Sequence, residues 1–192
     1  MHARKRTQPL ILPPGFAYKA DVISAAEEAP LIANLENEPF KEFEFQGFRG
    51  KRRVVSYGWR YDFNGGGLQQ TEAIPSFLHY IRERAASFAG LEPAALAQVL
   101  LTEYQPGAPI GWHKDRSVFD VVIGISLLST STFRLRKKTG SKWERLSLML
   151  EPRSIYVLSG EVRTEWEHSI PPVEALRYSI TFRSLKGKDH GG

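Results

Sequence analysis

Arg177-Tyr178-Ser179-Ile180-Thr181-Phe182-Arg183 alternates charged or hydroxyl-bearing residues with Tyr, Ile and Phe. A period of two places residues i and i+2 on one side of a strand. Arg177 and Arg183 therefore share a face, and Tyr178, Ile180 and Phe182 form the other, apolar one. On periodicity alone, the arginine face of a two-layer sandwich is the solvent face. Most of the chain before it, back to Asp115, also reads as strand. Residues 118–128 are a long apolar run. Residues 132–136 and 146–150 alternate across the turn Lys138-Thr139-Gly140-Ser141. Residues 154–158 end before Gly160, and 98–104 supply an earlier strand.

Helical patterns are confined to the first half. Ser24-x-x-Glu27 has the form of a capping box opening a helix near Ala25, with Pro30 expected to kink it or delay its start. Phe77, Ile81, Ala85 and Phe88 follow Pro75 at helical spacing, and Gly90 suits the C-terminal cap. A short helical turn is expected over 93–97. A few helices followed by many short strands predict an α+β protein with a β-sandwich or jelly-roll core. There is no internal repeat and no low-complexity segment.

The 192 residues are read as one domain, 15–185, between a flexible basic arm at 1–14 and a tail at 186–192. A hydrophobic content of 42% suits a globular chain. With no cysteine, disulfides, iron–sulfur clusters and cysteine nucleophiles are excluded, and a metal must be held by His, Asp or Glu. No apolar run approaches the roughly 18 residues that cross a bilayer, and the first residues lack a signal peptide's apolar stretch. The expectation is a soluble, cytoplasmic protein with no membrane partner. The net charge of +5, from 26 basic and 21 acidic residues, mildly favours an anionic partner. Two basic clusters stand out. One is Arg49, Lys51, Arg52, Arg53 and Arg60; the other is Arg134, Arg136, Lys137 and Lys138.

The chemistry-bearing residues come in a fixed order. His113-Lys114-Asp115 places an imidazole and a carboxylate two positions apart, on one side of an extended segment. His168 follows, then Arg177 and Arg183. Two His and one Asp form a facial triad, a ligand set suited to non-heme Fe(II) because it leaves coordination positions open. An arginine just beyond can hold a remote carboxylate through its planar fork. His79 lies within a helical pattern, and His2 and His190 lie in the tails, so none of these is placed to complete the triad.

The order H-x-D…H…R-x5-R resembles the AlkB family of 2-oxoglutarate-dependent Fe(II) dioxygenases, most specifically from about residue 100 to 185. Tyr104 and Gly107 also fit that family's N-x-Y-x-x-G element, with Thr102 where Asn is usual. The resemblance implies a double-stranded β-helix with N-terminal helices, and Fe(II) on His113, Asp115 and His168. It implies 2-oxoglutarate held by Tyr104, Arg177 and Arg183, with Arg177 on the distal carboxylate and Arg183 also supporting the ligand carboxylate. The implied reaction uses O2 to demethylate alkylated DNA or RNA bases, releasing succinate, CO2 and formaldehyde.

The family carries a variable substrate lid where residues 40–67 stand. Here the aromatic and β-branched residues of 40–63 read as a β-hairpin turning near Gly47 to Gly50. Tyr57, Trp59 and Tyr61 alternate, so they are expected on one side of a strand. They either stack a flipped base, with Arg49, Arg52 and Arg53 on phosphates, or cover the core. Ser117 stands where repair enzymes of the family often have a further acid, a contact that Asp120 could replace. The alternatives are a protein hydroxylase or demethylase on the same iron centre, and a catalytically silent binding module. Oligomeric state is not legible.

Overall fold

The computed structural model describes residues 11–45, 48–63 and 65–187. The chain begins β1 (Phe16–Lys19), α1 (Ala25–Leu35), β2 (Lys41–Phe45), β3 (Phe48–Tyr57), β4 (Trp59–Asp62) and β5 (Gly67–Gln70). A 3-10 turn (Ser76–Leu78), α2 (His79–Ala89) and a second 3-10 turn (Pro93–Ala95) follow. Then come β6 (Gln98–Tyr104), β7 (Ile110–His113), β8 (Phe119–Leu127), β9 (Ser131–Thr139) and β10 (Lys142–Leu150). The chain closes with β11 (Ser154–Leu158), α3 (Gly160–Thr164), β12 (Glu167–Ile170) and β13 (Arg177–Leu185).

Seven strands form a major antiparallel sheet in the order β1-β11-β8-β13-β6-β3-β2. Four form a minor sheet, β10-β9-β12-β7, and β4 pairs with β5 apart from both. Most neighbours in the sheets are distant in sequence, as expected of a double-stranded β-helix. No helix among the described residues is long and apolar enough to cross a membrane.

Both faces of the major sheet are covered. Leu101, Ile125, Ile180 and Phe182 pack beneath Leu31 and Leu35 of α1 and Ile81 and Ala85 of α2. Each Leu, Ile or Phe side chain among them contributes about 1.5–3 kcal/mol on burial. The other face looks toward the minor sheet, where Phe16, Val122, Phe133, Leu135 and Trp166 form a second cluster. The architecture is thus three layers of helices, sheet and sheet. This corrects the two-layer reading of β13: its apolar face is under the helices, and its arginine face lies between the sheets rather than in solvent.

The local signals explain the helices. Ser24 and Glu27 form the reciprocal cap, with Ser24 Oγ accepting from Glu27 N at 3.2 Å and Glu27 Oε2 accepting from Ser24 N at 2.7 Å. Pro30 does not delay the start, since α1 begins at Ala25. The first turn at Ser76 leads into α2, and Gly90 closes it. Of the expected N-terminal arm, residues 1–10 lie outside the described residues. Pro13 is buried, and Pro14 O accepts from Val162 N at 3.1 Å.

The hairpin of β2 and β3 forms as expected, although its tip at 46–47 lies outside the described residues. The expected continuous strand through Tyr57, Trp59 and Tyr61 does not form. Gly58 breaks it at φ +76, and a Cβ there would lie 2.1 Å from Ala97 O. Tyr57 therefore ends β3 within the helix-side core, while Trp59 and Tyr61 start a separate ladder opposite Gln70 and Leu68.

Candidate metal centre

Alternation in four neighbouring strands aims one polar set between the sheets. β6 and β13 pair Tyr104 with Arg177, Thr102 with Ser179 and Gln98 with Arg183. β8 adds Ser126 opposite Ser179, and β3 adds Arg52 opposite Tyr104. Cross-strand partners share a face, so these side chains line one interior wall.

The opposing wall supplies the triad. β12 pairs His168 with His113 at the end of β7, and Asp115 follows just past that strand. The ligand-capable atoms of His113, Asp115 and His168 all lie within 4.8 Å of one another. His168 Nε2 is 3.7 Å from Asp115 Oδ2, and the two imidazole centroids are 4.2 Å apart.

The orientation of each group is fixed. Gly111 O lies 2.8 Å from His113 Nδ1; with the proton there, Nε2 keeps its lone pair. Arg183 donates to Asp115 Oδ1 from Nε at 2.9 Å and from Nη2 at 2.7 Å. Asp115 Oδ2 is buried with no partner. Such an orphaned carboxylate oxygen, facing two neutral imidazoles, has the form of a divalent-cation ligand. The residues present fit the metal.

Charge follows the same geometry. Burial, then the neighbouring His113, pushes the His168 imidazole down to about 3, against the pull of Asp115. Burial also lowers His113. Burial opposes ionisation of Asp115, but Arg183 and the two imidazoles hold its carboxyl well below the carboxylate range. Neutral His and ionised Asp are the ligating forms. They also imply a pH signature. Below the ordinary histidine value of 6.5 the unfolded chain takes a proton that folded His168 refuses. The unfolded state then binds more protons, so stability of the metal-free protein falls as pH drops from 6.5 toward about 3. Melting the metal-free protein across this window should show the slope, and His168→Gln should flatten it. An unchanged slope in that variant removes His168 as its source.

Arg177 is 1% exposed, yet no carboxylate meets it among the described residues. Its Nε donates to Ser126 Oγ at 3.0 Å, its guanidinium carbon is 4.9 Å from the Tyr104 ring centroid, and its Nη1 is buried without a partner. A buried guanidinium with a free donor is costly unless an anion completes it. This is the fit for a dicarboxylate co-substrate.

Several residues here carried no sequence signal. The Tyr156 ring lies across Gly124, where a Cβ would meet it at 2.2 Å, so glycine makes room for the ring. Burial raises the Tyr156 hydroxyl above its ordinary value, and Arg177, Tyr104, Asp115 and Arg183 all act on it. Arg163, on α3, donates through Nη2 to Arg116 O at 2.5 Å and Phe119 O at 2.7 Å. It thereby holds the backbone just after Asp115.

The six residues expected at the substrate separate. Arg52 is half-buried on the site side, 3.9 Å over the Phe43 ring. Arg53, one residue on, points to the opposite face and forms a two-pronged pair with Glu103, both contacts at 2.8 Å. Tyr57 is a core residue whose hydroxyl donates to Glu38. Arg53 and Tyr57 thus hold the frame rather than a ligand. Tyr61 packs edge-on to Phe63 at 5.1 Å, and Arg116 sits 5.0 Å and 4.9 Å from those two rings. Trp59 is half-buried in β4, and the Arg49 side chain lies outside the described residues. Phe43, Phe63 and Arg116 pack with Arg52 and Tyr61 beside Asp115, although none of the three carried a sequence signal; Phe43 lies 5.7 Å from Phe63.

The chain matches the 2OG-Fe(II) oxygenase superfamily over residues 15–183. It belongs to that superfamily. Among its relatives the oxygenase is AlkB-like. It is 28% identical to the Arabidopsis thaliana "Alkylated DNA repair protein ALKBH8 homolog", over 90% of this chain and 56% of the relative. It is 30% identical to the "Alpha-ketoglutarate-dependent dioxygenase AlkB" of Escherichia coli (strain K12), over 61% of this chain and 58% of that one. The chain thus spans a little over half the length of these two relatives. The solved structure of OsALKBH1 superposes with a TM-score of 0.71 at 17% identity, covering 91% of this chain and 98% of that one, which establishes the shared fold. An oxygenase of this family is an enzyme that uses Fe(II) and 2-oxoglutarate, and the triad and the cationic wall suit both.

Proposed function

We propose that this oxygenase demethylates alkylated bases of DNA or RNA. The observation that carries the reading is the mouth of the site. Arg52 over Phe43 and Arg116 over Tyr61 and Phe63 place cations and ring faces together beside the triad. Cations suit the phosphates and rings suit an unstacked base.

In this reading His113, Asp115 and His168 hold the metal. Arg183 keeps Asp115 ionised and aimed, and Arg177 with Tyr104 holds the distal carboxylate of 2-oxoglutarate. Arg163 fixes the turn that carries Asp115. The apolar wall of Phe133, Leu135 and Ile170 keeps bulk water from the triad. When bound, Fe(II) and 2-oxoglutarate supply the oxidising power that converts C–H to C–OH, with O2 consumed and succinate and CO2 formed. On an N-methyl group that product collapses to the free amine and formaldehyde.

The test is formaldehyde release from methylated single-stranded DNA and RNA, measured with succinate. Matched formaldehyde and succinate on at least one methylated oligonucleotide are expected. Intact uncoupled 2-oxoglutarate turnover with no formaldehyde from any of them overturns the reading in favour of a protein substrate.

A further inference from the structure

The outer face of the minor sheet plays no part in the site. Along β9, Phe133 and Leu135 turn inward, which turns Arg134, Arg136 and Lys138 outward. β10 sets Ser147, Arg145 and Trp143 opposite them. On the other side, β12 sets Ser169 and Glu167 opposite Arg134 and Arg136. Trp112 of β7 lies over the same face, next in sequence to His113 inside.

These side chains interleave. Arg134 lies 4.9 Å from the Trp112 ring, and Arg136 lies 4.4 Å from Trp112 and 4.3 Å from Trp143. Arg145 continues the series 6.0 Å from Trp143. The face carries four cations and one carboxylate: Glu167 takes Arg136 at 2.6 Å, and Arg134 donates to Ser169 Oγ at 2.9 Å. Among the described residues, no carboxylate pairs with Lys138 or Arg145, and both are exposed. Trp143 is itself 37% exposed.

We propose that this face is a second contact surface for single-stranded nucleic acid, holding the stretch that flanks the target base. Phosphates would lie on Lys138, Arg134 and Arg145, and a base on Trp143. The inference rests on the nucleic-acid reading of the site. Charge complementarity selects a polyanion, and the tryptophans between the cations distinguish a strand with bases from an acidic peptide, which needs cations alone. The series ends at Trp112, next in sequence to His113 on the inner face of β7.

The test is titration of the full chain with a methylated single-stranded oligonucleotide at several salt concentrations, for wild type, Trp143→Ala and the double variant Lys138→Glu/Arg145→Glu. Trp143→Ala should weaken binding about 5- to 100-fold with the salt slope kept. The double variant should lower the slope of log affinity against log salt by about 1.4. Formaldehyde release from a methylated nucleoside, too short to reach this face, should match wild type in both. Wild-type oligonucleotide affinity and slope in both variants overturn the proposal and leave the proposed reaction standing. No oligonucleotide binding by wild type removes both. Equal competition by polyglutamate overturns it in favour of a peptide partner. If the variants do not fold, acetylation of Lys138 in the wild type decides: protection by oligonucleotide supports the surface, and none overturns it.

Discussion

Replacing Asp115 by alanine is expected to abolish Fe(II)-dependent turnover and to destabilise the metal-free protein at the same time. The metal loses the only carboxylate among the three converging ligands. The second effect comes from Arg183, whose guanidinium holds Asp115 Oδ1 with both groups about nine-tenths buried. Removing one partner of such a pair leaves an uncompensated charge and typically costs about 3–5 kcal/mol. The two effects should separate in the double variant Asp115→Ala/Arg183→Leu, which removes both charges. Its stability should recover by a large part of that cost, while metal binding stays lost. Denaturant melts of the metal-free proteins, with Fe(II) or Mn(II) titration, read both quantities. An Asp115→Ala protein that binds metal like wild type would overturn the ligand assignment.

Arg177 should show the opposite relation between stability and activity. Its buried Nη1 has no partner in the free protein. Arg177→Met keeps much of the volume and removes the charge. The metal-free variant should be no less stable than wild type, and up to about 1–3 kcal/mol more stable. Its kcat/KM for 2-oxoglutarate should fall roughly 10²–10⁴-fold, the worth of two charge-assisted hydrogen bonds. Arg177→Lys keeps charge without the planar fork, so it should chiefly raise KM for the co-substrate. Unchanged 2-oxoglutarate turnover in both variants means that this arginine does not anchor the carboxylate.

The convergence of His113, Asp115 and His168 was legible from their order and from the family resemblance that this order carries. His113, Asp115, His168, Arg177 and Arg183 are charged or ligating residues in a fixed order, and the alternation of β13 correctly puts both arginines on one face. The cap of α1 and the hairpin of β2 and β3 were legible because each depends on near neighbours. What stayed hidden depends on register between distant strands. Tyr156 reaches the cradle because β11 pairs it with Gly124 of β8. Arg163 matters because α3 packs on the turn after Asp115. Arg52 and Arg53 look equivalent in the sequence, yet the period of two sends one to the site and the other to Glu103. A third layer of helices cannot be read from strand periodicity, so periodicity alone leaves the arginine face in solvent, and only the family resemblance turns it inward. Gly58 was a single glycine in a strongly β-forming run, and only the approach of Ala97 O shows that the chain must turn there.

The separate pairing of β4 with β5 bears on how such an enzyme diversifies. Among the described residues this two-stranded ribbon closes its own ladder, and at its base Gly58 N donates to Glu72 O at 2.6 Å and Gly58 O accepts from Thr71 N at 3.1 Å. Its interior bonds do not propagate into the sheets that carry the triad. Changes of composition between Trp59 and Gln70 therefore leave the strand register of the two sheets in place, and touch the triad through the packing of Tyr61 and Phe63 on Arg116. The ribbon is a cassette in this sense: its own ladder can change residue by residue while the strand order of the two sheets behind it is kept.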